Sequence, residues 1–174
     1  MDASELRALQ APLKTRYREA PETAIQAMHA RGHLDASGLV CRVETARGVI
    51  DAGLHPAAGG DGSNVCAGDM LLEALVGCAG VTLKAVATAL EIPVRGGTIV
   101  AEGTMDFRGT LGVDRQVSVG FIRINLRLDL DTDASPEQLE TLLKLTERYC
   151  VVYQTLRNPP EIHAFNGERD SGNV

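Results

Sequence analysis

The stretch Gly68-Asp69-Met70-Leu71-Leu72-Glu73-Ala74-Leu75-Val76-Gly77-Cys78-Ala79-Gly80-Val81-Thr82-Leu83-Lys84-Ala85-Val86-Ala87-Thr88-Ala89-Leu90 is the most apolar part of the chain. Met70, Leu71, Leu75, Cys78, Ala79, Val81, Ala85, Val86 and Leu90 cover most of a helix circumference. A helix that is apolar nearly all round belongs at the centre of a fold rather than on its surface. Asp69, Glu73 and Lys84 interrupt it, so no unbroken apolar run reaches the ~18 residues of a membrane span.

The elements on either side define what this helix packs against. Gly96-Gly97 introduces a strand over Thr98–Phe107. From Phe121 to Leu130 the chain alternates: Ile122, Ile124, Leu126, Leu128 and Leu130 share one face, and Arg123, Asn125, Arg127 and Asp129 the other. That pattern predicts a half-buried strand with one wet face, as in an antiparallel sheet covered on one side by the central helix. A second long helix opens at Ser135 as N-cap and Pro136 as first residue. Leu139, Leu142, Leu143, Thr146, Tyr149, Cys150 and Tyr153 follow at helical spacing, which places Cys150 on the buried face. Glu161–Phe165, after Pro159-Pro160, reads as a short strand, and 167–174 as a polar tail.

Upstream of the apolar helix, Leu39–Val43 and Val49–Ala52 read as two strands joined by a turn at Thr45–Gly48. His55–Asn64 is a loop by composition. The first 33 residues read as short helices broken by Pro12 and Pro21, with Ala24, Ile25 and Met28 on the apolar side of the second and Gly32 as its stop. The order of elements predicts an α+β fold rather than alternating βαβ units. It divides into an N-terminal helical extension, residues 1–37, and a main domain, residues 38–174.

The composition excludes several function classes. A chain of 174 residues fits one domain of the usual ~100–200 residues and can bury ~70% of its unfolded surface without disulfide or metal. Seventeen basic against 23 acidic residues give a net charge of −6, which argues against nucleic acid as a partner. Three Tyr, three Phe and no Trp leave little for an aromatic cage. The N-terminus shows no secretory h-region, so a cytoplasmic location is expected, with no membrane partner.

Four cysteines, Cys41, Cys66, Cys78 and Cys150, contain no CxxC pair and are too sparse for a disulfide framework. They leave two readings: inert core residues, or redox chemistry. Cys78 lies in Gly77-Cys78-Ala79-Gly80, where small neighbours let another backbone or a substrate approach the sulfur. Cys78 and Cys150 each sit on the apolar face of a long helix. Two thiols facing across such a contact suit peroxidatic chemistry, in which one is oxidised to a sulfenic acid and the other condenses with it.

Gly62-Ser63-Asn64 followed by Asp69–Leu83 resembles the first cysteine motif of the OsmC/Ohr family, the osmotically inducible and organic hydroperoxide resistance proteins. Thr146-Glu147-Arg148-Tyr149-Cys150-Val151-Val152-Tyr153-Gln154-Thr155-Leu156 resembles its second. Together the motifs are fairly specific, and the resemblance spans about residues 38–165. It implies an OsmC-like fold of two central helices packed on antiparallel sheets, in an intertwined homodimer with active sites at the subunit interface. It also implies thiol-dependent reduction of organic hydroperoxides, with Cys78 peroxidatic, Cys150 resolving and a dithiol as reductant; no cofactor is expected. Peroxidase branches of the family activate the first thiolate with an arginine held by an acid. Asp69 is the best match for the acid, and Arg42 or Arg47 for the arginine. Val151 stands where the family often has proline. The alternative within the same fold is a non-enzymatic redox sensor or a binder of small apolar ligands.

Other residues carry weaker signals. Cys66, near a helix N-terminus, is an extra reactive thiol or a small buried residue, and Cys41 is packing. Glu73, inside the apolar helix, is expected to need a partner. His29 and His33 share helical spacing but lack a third ligand, so no metal site is expected. The glycine-rich run Gly59–Ser63 lacks the lysine of a P-loop and reads as a connection.

Overall fold

The computed structural model describes residues 1–34 and 38–166. Two separate sheets are joined through one long helix, which touches strands of both. The first sheet comprises β1 (Gly32–Leu34), β2 (Cys41–Thr45), β3 (Gly48–Gly53) and β4 (Val65–Cys66) in that order. The first three run antiparallel, and β4 pairs parallel to β3 through Ala52–Val65 and Gly53–Cys66. The second sheet is a long antiparallel pair, β5 (Val94–Met105) and β6 (Phe121–Thr132). Between the sheets in sequence runs α2 (Ala67–Ala89), preceded by α1 (Ala3–Glu19) at the N-terminus. One turn of helix, α3 (Phe107–Thr110), lies in the β5–β6 connection, and α4 (Pro136–Tyr149) and α5 (Val151–Arg157) close the chain. The mixed α+β class expected from the pattern is the one observed.

The β5–β6 ribbon follows the alternation of its sequence: Ile124, Leu126, Leu128 and Leu130 are half-buried, and Arg123, Asn125, Arg127 and Asp129 are exposed. Ile122, at the ribbon's end, is exposed as well. The register shifts between Val94 and Gly96, and Gly97 beyond that bulge has φ +150. A Cβ there would meet the Asp129 carbonyl oxygen at 2.4 Å, so both backbone angle and space demand glycine. The α4 start is the expected one, with reciprocal bonds between Ser135 and Gln138 forming a capping box.

The helix α2 is buried along one stripe, Leu75, Ala79, Leu83 and Ala87, four residues apart. Gly80 lets β5 approach, since Ile99 Cδ1 would lie 3.3 Å from a Cβ there. Leu83, Ala87, Ile92 and Leu142 form one core cluster, and Leu75, Ala79 and Cys150 the other. Each buried leucine contributes ~2 kcal/mol through surface removed from water. One face of α2 is left open by its own chain: Val81 is 75% exposed and a Cβ on Gly77 would meet nothing. Length and mean hydropathy of 1.7 make α2 long and apolar enough to cross a membrane, a property it shares with core helices of globular folds.

The N-terminal reading needs correcting. Pro12 does not break α1, because a proline tolerated within an exposed helix kinks rather than ends it when the flanking turns hold. Past a 3-10 turn at Pro21–Ala24 there is no second helix; Ile25 and Met28 are exposed, and His33 lies in β1, opposite Arg42. The spacing of His29 and His33 is therefore not helical. His33 Nε2 instead meets Glu44 Oε1 at 2.8 Å across the strands. Thr98–Phe107 is displaced to Val94–Met105, with Asp106 capping α3. Glu161–Phe165 forms no strand.

Candidate active site

The site is built where α4 ends. A continuous helix through Cys150 was expected, but the backbone breaks there: Cys150 has φ −73 and ψ 110, extended values, and serves both as the C-cap of α4 and the N-cap of α5. The β-branched pair Val151-Val152 has weak helix preference. The break is stitched from both sides. The Cys150 amide donates to the Thr146 carbonyl, the Gln154 amide donates to the Cys150 carbonyl at 2.9 Å, and the Gln154 side chain donates to the Glu147 carbonyl at 2.8 Å. Thr146, buried, donates its hydroxyl to the Leu142 carbonyl at 2.7 Å.

A helix start leaves its first amides without intrahelical partners. The α5 amides favour the ionised forms of the two thiols, Val151 and Val152 acting on Cys78, and Val152 and Tyr153 on Cys150. Cys78, half-buried on α2, packs against the core cluster that holds Cys150, fully buried at the break.

The two environments push the thiols apart. Partial burial raises the Cys78 pKa, but the Val152 amide, the Cys150 thiol, the Val151 amide and the Thr82 hydroxyl together outweigh it and hold Cys78 below the ordinary thiol range. Burial raises Cys150, the neighbouring Cys78 sulfur raises it further, and the Tyr153 and Val152 amides only partly compensate. Of the two thiols, Cys78 is therefore the more readily ionised. Replacing Val151 by proline keeps the geometry of a first helical position but removes its N–H. We expect Val151→Pro to slow alkylation of Cys78 near neutral pH roughly threefold, read by peptide mass spectrometry; an unchanged rate would show that this amide does not support the thiolate.

The acid and base candidates fall elsewhere. Asp69 is exposed in the first turn of α2, nine residues before Cys78 on an unbroken helix, so it lies about 13 Å along the axis from that thiol. It does not reach Cys78 of its own chain. Arg42, on β2, holds Asp51 at 3.6 Å, and Arg47 occupies the β2–β3 turn. The main influences on Cys78 include no charged side chain. Glu73 is exposed on the face of α2 that its own chain leaves open, so it needs no buried partner. Cys66 caps α2 by its backbone alone, and Cys41 lies half-buried in β2. Among the described residues no group of His, Cys, Asp and Glu could hold a metal ion. The backbone amides at 151–153 and the Thr82 hydroxyl were not anticipated. The Val-Val pair after Cys150 was their only sequence signal.

A cavity of about 710 Å³ opens between β6 and the helices; neither cysteine lines it, but Leu75, Tyr153 and Leu156, which pack with Cys150, do. Leu71, Leu75, Ile124, Leu126, Tyr153 and Leu156 line it, with Arg123, Glu147 and Arg157 as polar wall. A second cavity of about 410 Å³ adjoins it along Leu126, Leu128 and Leu143.

One cysteine on a central helix and a second at a helix–helix break, beside a long antiparallel ribbon, define a class of fold with two thiols in one cluster. Residues 60–164 match the model of the OsmC-like protein family, and the chain belongs to that family. An OsmC-like protein from Mycoplasma pneumoniae superposes with a TM-score of 0.64 at 15% identity, over 77% of this chain and 89% of that one. An organic hydroperoxide resistance protein OsmC from Legionella pneumophila gives 0.57 at 17% identity, over 77% and 91%. The organic hydroperoxide resistance protein OhrB of Bacillus subtilis gives 0.54 at 17% identity, over 77% and 93%. At these identities the likeness is one of fold. No curated protein matches the sequence.

Proposed function

We propose that this protein is a thiol-dependent peroxidase that reduces organic hydroperoxides to alcohols. The observation that carries the reading is the packing of half-buried Cys78 against the core cluster of fully buried Cys150, and the surroundings push the Cys78 thiol down and the Cys150 thiol up. The Cys78 thiolate attacks the terminal peroxide oxygen. An S–O bond forms, the O–O bond breaks, and the alkoxide leaves as alcohol after taking a proton. The resulting sulfenic acid is placed beside Cys150, whose sulfur displaces the hydroxyl; the S–S bond forms and water leaves. An external dithiol then reduces the disulfide and is itself oxidised to a disulfide. The apolar cavity that shares Leu75, Tyr153 and Leu156 with the Cys150 cluster suits the organic part of the substrate.

The same reading includes a homodimer. Val81 on α2, Tyr149 at the end of α4 and Val151 at the start of α5 are all exposed near the pair, an apolar face of the kind partner subunits cover. Hydroperoxide consumption by the purified protein with a dithiol tests the activity. Turnover that requires both the dithiol and Cys78 is expected, and consumption no faster than the dithiol alone would overturn the proposal.

The same cavity favours one other reading, a binder of small apolar ligands whose thiols report redox state rather than turn over. Negligible turnover with retained binding of an apolar fluorescent probe would favour it.

A further inference from the structure

The helix breaks at Cys150, and the residues that follow do not enforce the break. A proline at position 151 would, because it lacks the N–H that an unbroken helix uses. Val151 has that N–H, and β-branched residues disfavour helix only mildly. In an unbroken helix the Val151 amide would donate to the Glu147 carbonyl, four residues back. Instead the ladder of α4 ends with the Cys150 amide, which donates to the Thr146 carbonyl at 2.9 Å, and that of α5 begins from the Cys150 carbonyl, which accepts from the Gln154 amide.

The Glu147 carbonyl finds another donor. Gln154 Nε2 lies 2.8 Å from it, in a partly buried bond that reaches back seven residues. A side-chain amide thus fills the place that the Val151 N–H would take. The other end of the same amide is engaged as well: Gln154 Oε1 accepts from Asn158 Nδ2 at 3.1 Å, and Asn158 is the C-cap of α5. One side chain therefore ties the end of α4 to the far end of α5. The tie matters because α5 has seven residues, too few to persist as a helix unaided.

What it holds is the thiol cluster. Cys150 is fully buried with Leu75 and Ala79, and Cys78 from α2 and Val152, Tyr153 and Leu156 from α5 pack on that cluster. Cys150 is the single residue between the two helices, so its backbone angles set where its own side chain and the whole of α5 point. A disulfide tolerates little error, since it needs Cα atoms within ~7 Å and a defined torsion.

We propose that Gln154 is a positioning residue for the resolving thiol: its side-chain amide stands in for the Val151 N–H at the Glu147 carbonyl, holds the break open and so keeps Cys150 directed at Cys78. This rests on the reading of the two cysteines as a redox pair. Gln154 acts through the backbone on either side of Cys150.

The test is the two-step reaction of the full-length protein with Ellman's reagent, an aromatic disulfide, quenched in acid at intervals and followed by peptide mass spectrometry. In the first step the Cys78 thiolate attacks the reagent, a mixed disulfide forms and one thionitrobenzoate leaves. In the second, Cys150 loses its proton to solvent and attacks the Cys78 sulfur; the Cys78–Cys150 disulfide forms and the second thionitrobenzoate leaves. Gln154→Met keeps the length of the side chain and removes its polar end. It is expected to leave the first step within about twofold and to slow the second on the order of tenfold. Gln154→Lys keeps a donor of similar reach, of the kind that bonds the last carbonyls of a helix, and is expected to hold the second step within about threefold of wild type. A second step at the wild-type rate in Gln154→Met overturns the proposal. So does an equal slowing in both variants, or a change in both steps together, either of which would assign the effect to general loosening of the fold. No hydroperoxide enters this assay. A protein that shows the selective slowing yet never consumes hydroperoxide would overturn the peroxidase reading and leave the role of Gln154 standing.

Discussion

Cys78→Ser is expected to abolish dithiol-dependent hydroperoxide consumption, lowering it on the order of a thousandfold or more. The attacking species is a thiolate, and a serine hydroxyl is almost wholly protonated at neutral pH and far less nucleophilic toward peroxide oxygen. The exchange is nearly isosteric at a half-buried position, so the fold is expected to persist, which circular dichroism and thermal melting would check. The remaining cysteines do not take over the role. Cys150 is fully buried and its burial holds the proton on sulfur, while Cys41 and Cys66 lie in or at the edge of the first sheet, apart from the amides at the α4–α5 break. A Cys78→Ser protein retaining a tenth or more of the wild-type rate would mean that another thiol performs the attack.

Cys150→Ser separates attack from resolution. The first peroxide equivalent is still expected to be consumed, because the Val151 and Val152 amides and the Thr82 hydroxyl still favour the ionised form of Cys78. The sulfenic acid then has no thiol beside it. It is expected to persist long enough to be trapped by a dimedone-type reagent on the Cys78 peptide, and to advance to the sulfinic acid under excess peroxide. Steady-state turnover with a dithiol should fall roughly a hundredfold, as direct reduction of a half-buried sulfenic acid replaces the intramolecular step. A serine hydroxyl among Leu75, Ala79 and Leu156 also costs about 1–2 kcal/mol unless it finds a partner. Turnover at the wild-type rate in this variant would remove Cys150 from the mechanism.

The framework was legible where pattern and function agree. The apolar stretch from Gly68 onward, the alternation from Phe121 and the Ser135-Pro136 start each specify their element locally, and each lies within a residue or two of the observed span. The N-terminal region is less legible because Pro12 and Pro21 carry the same sequence signal and only Pro21 marks an end. A proline pattern cannot show that an exposed helix carries on past one of them, nor that Gly32–Leu34 joins a sheet through Cys41–Val43. The break at Cys150 escaped helical periodicity for a physical reason. Thr146, Cys150 and Tyr153 stay at helical spacing across it, so the hydrophobic pattern is undisturbed while the backbone departs from the helix at a single residue.

The site was legible in its sulfurs and not in its donors. Two cysteines on facing elements announce a pair. What tunes them is main-chain N–H, which has no residue type of its own and so leaves no trace in a sequence beyond the local weakness of Val151-Val152. Of the charged candidates, Arg42 lies beside Asp51 on the first sheet, and helix geometry keeps Asp69 a long way from the thiol of its own chain. Val151 in place of proline also changes meaning: as the first residue of α5 it supplies an N–H that proline lacks.

The central claim is that Cys78 and Cys150 act as one redox pair, and peptide mapping after oxidation tests it most directly. The protein is treated with one equivalent of cumene hydroperoxide, its remaining thiols are blocked, and it is digested without reductant. The account predicts a Cys78–Cys150 disulfide as the main product, within a single chain, with Cys41 and Cys66 recovered as blocked thiols. Recovery of Cys78 and Cys150 as unmodified thiols, or a disulfide that joins Cys78 to Cys66 instead, would contradict it.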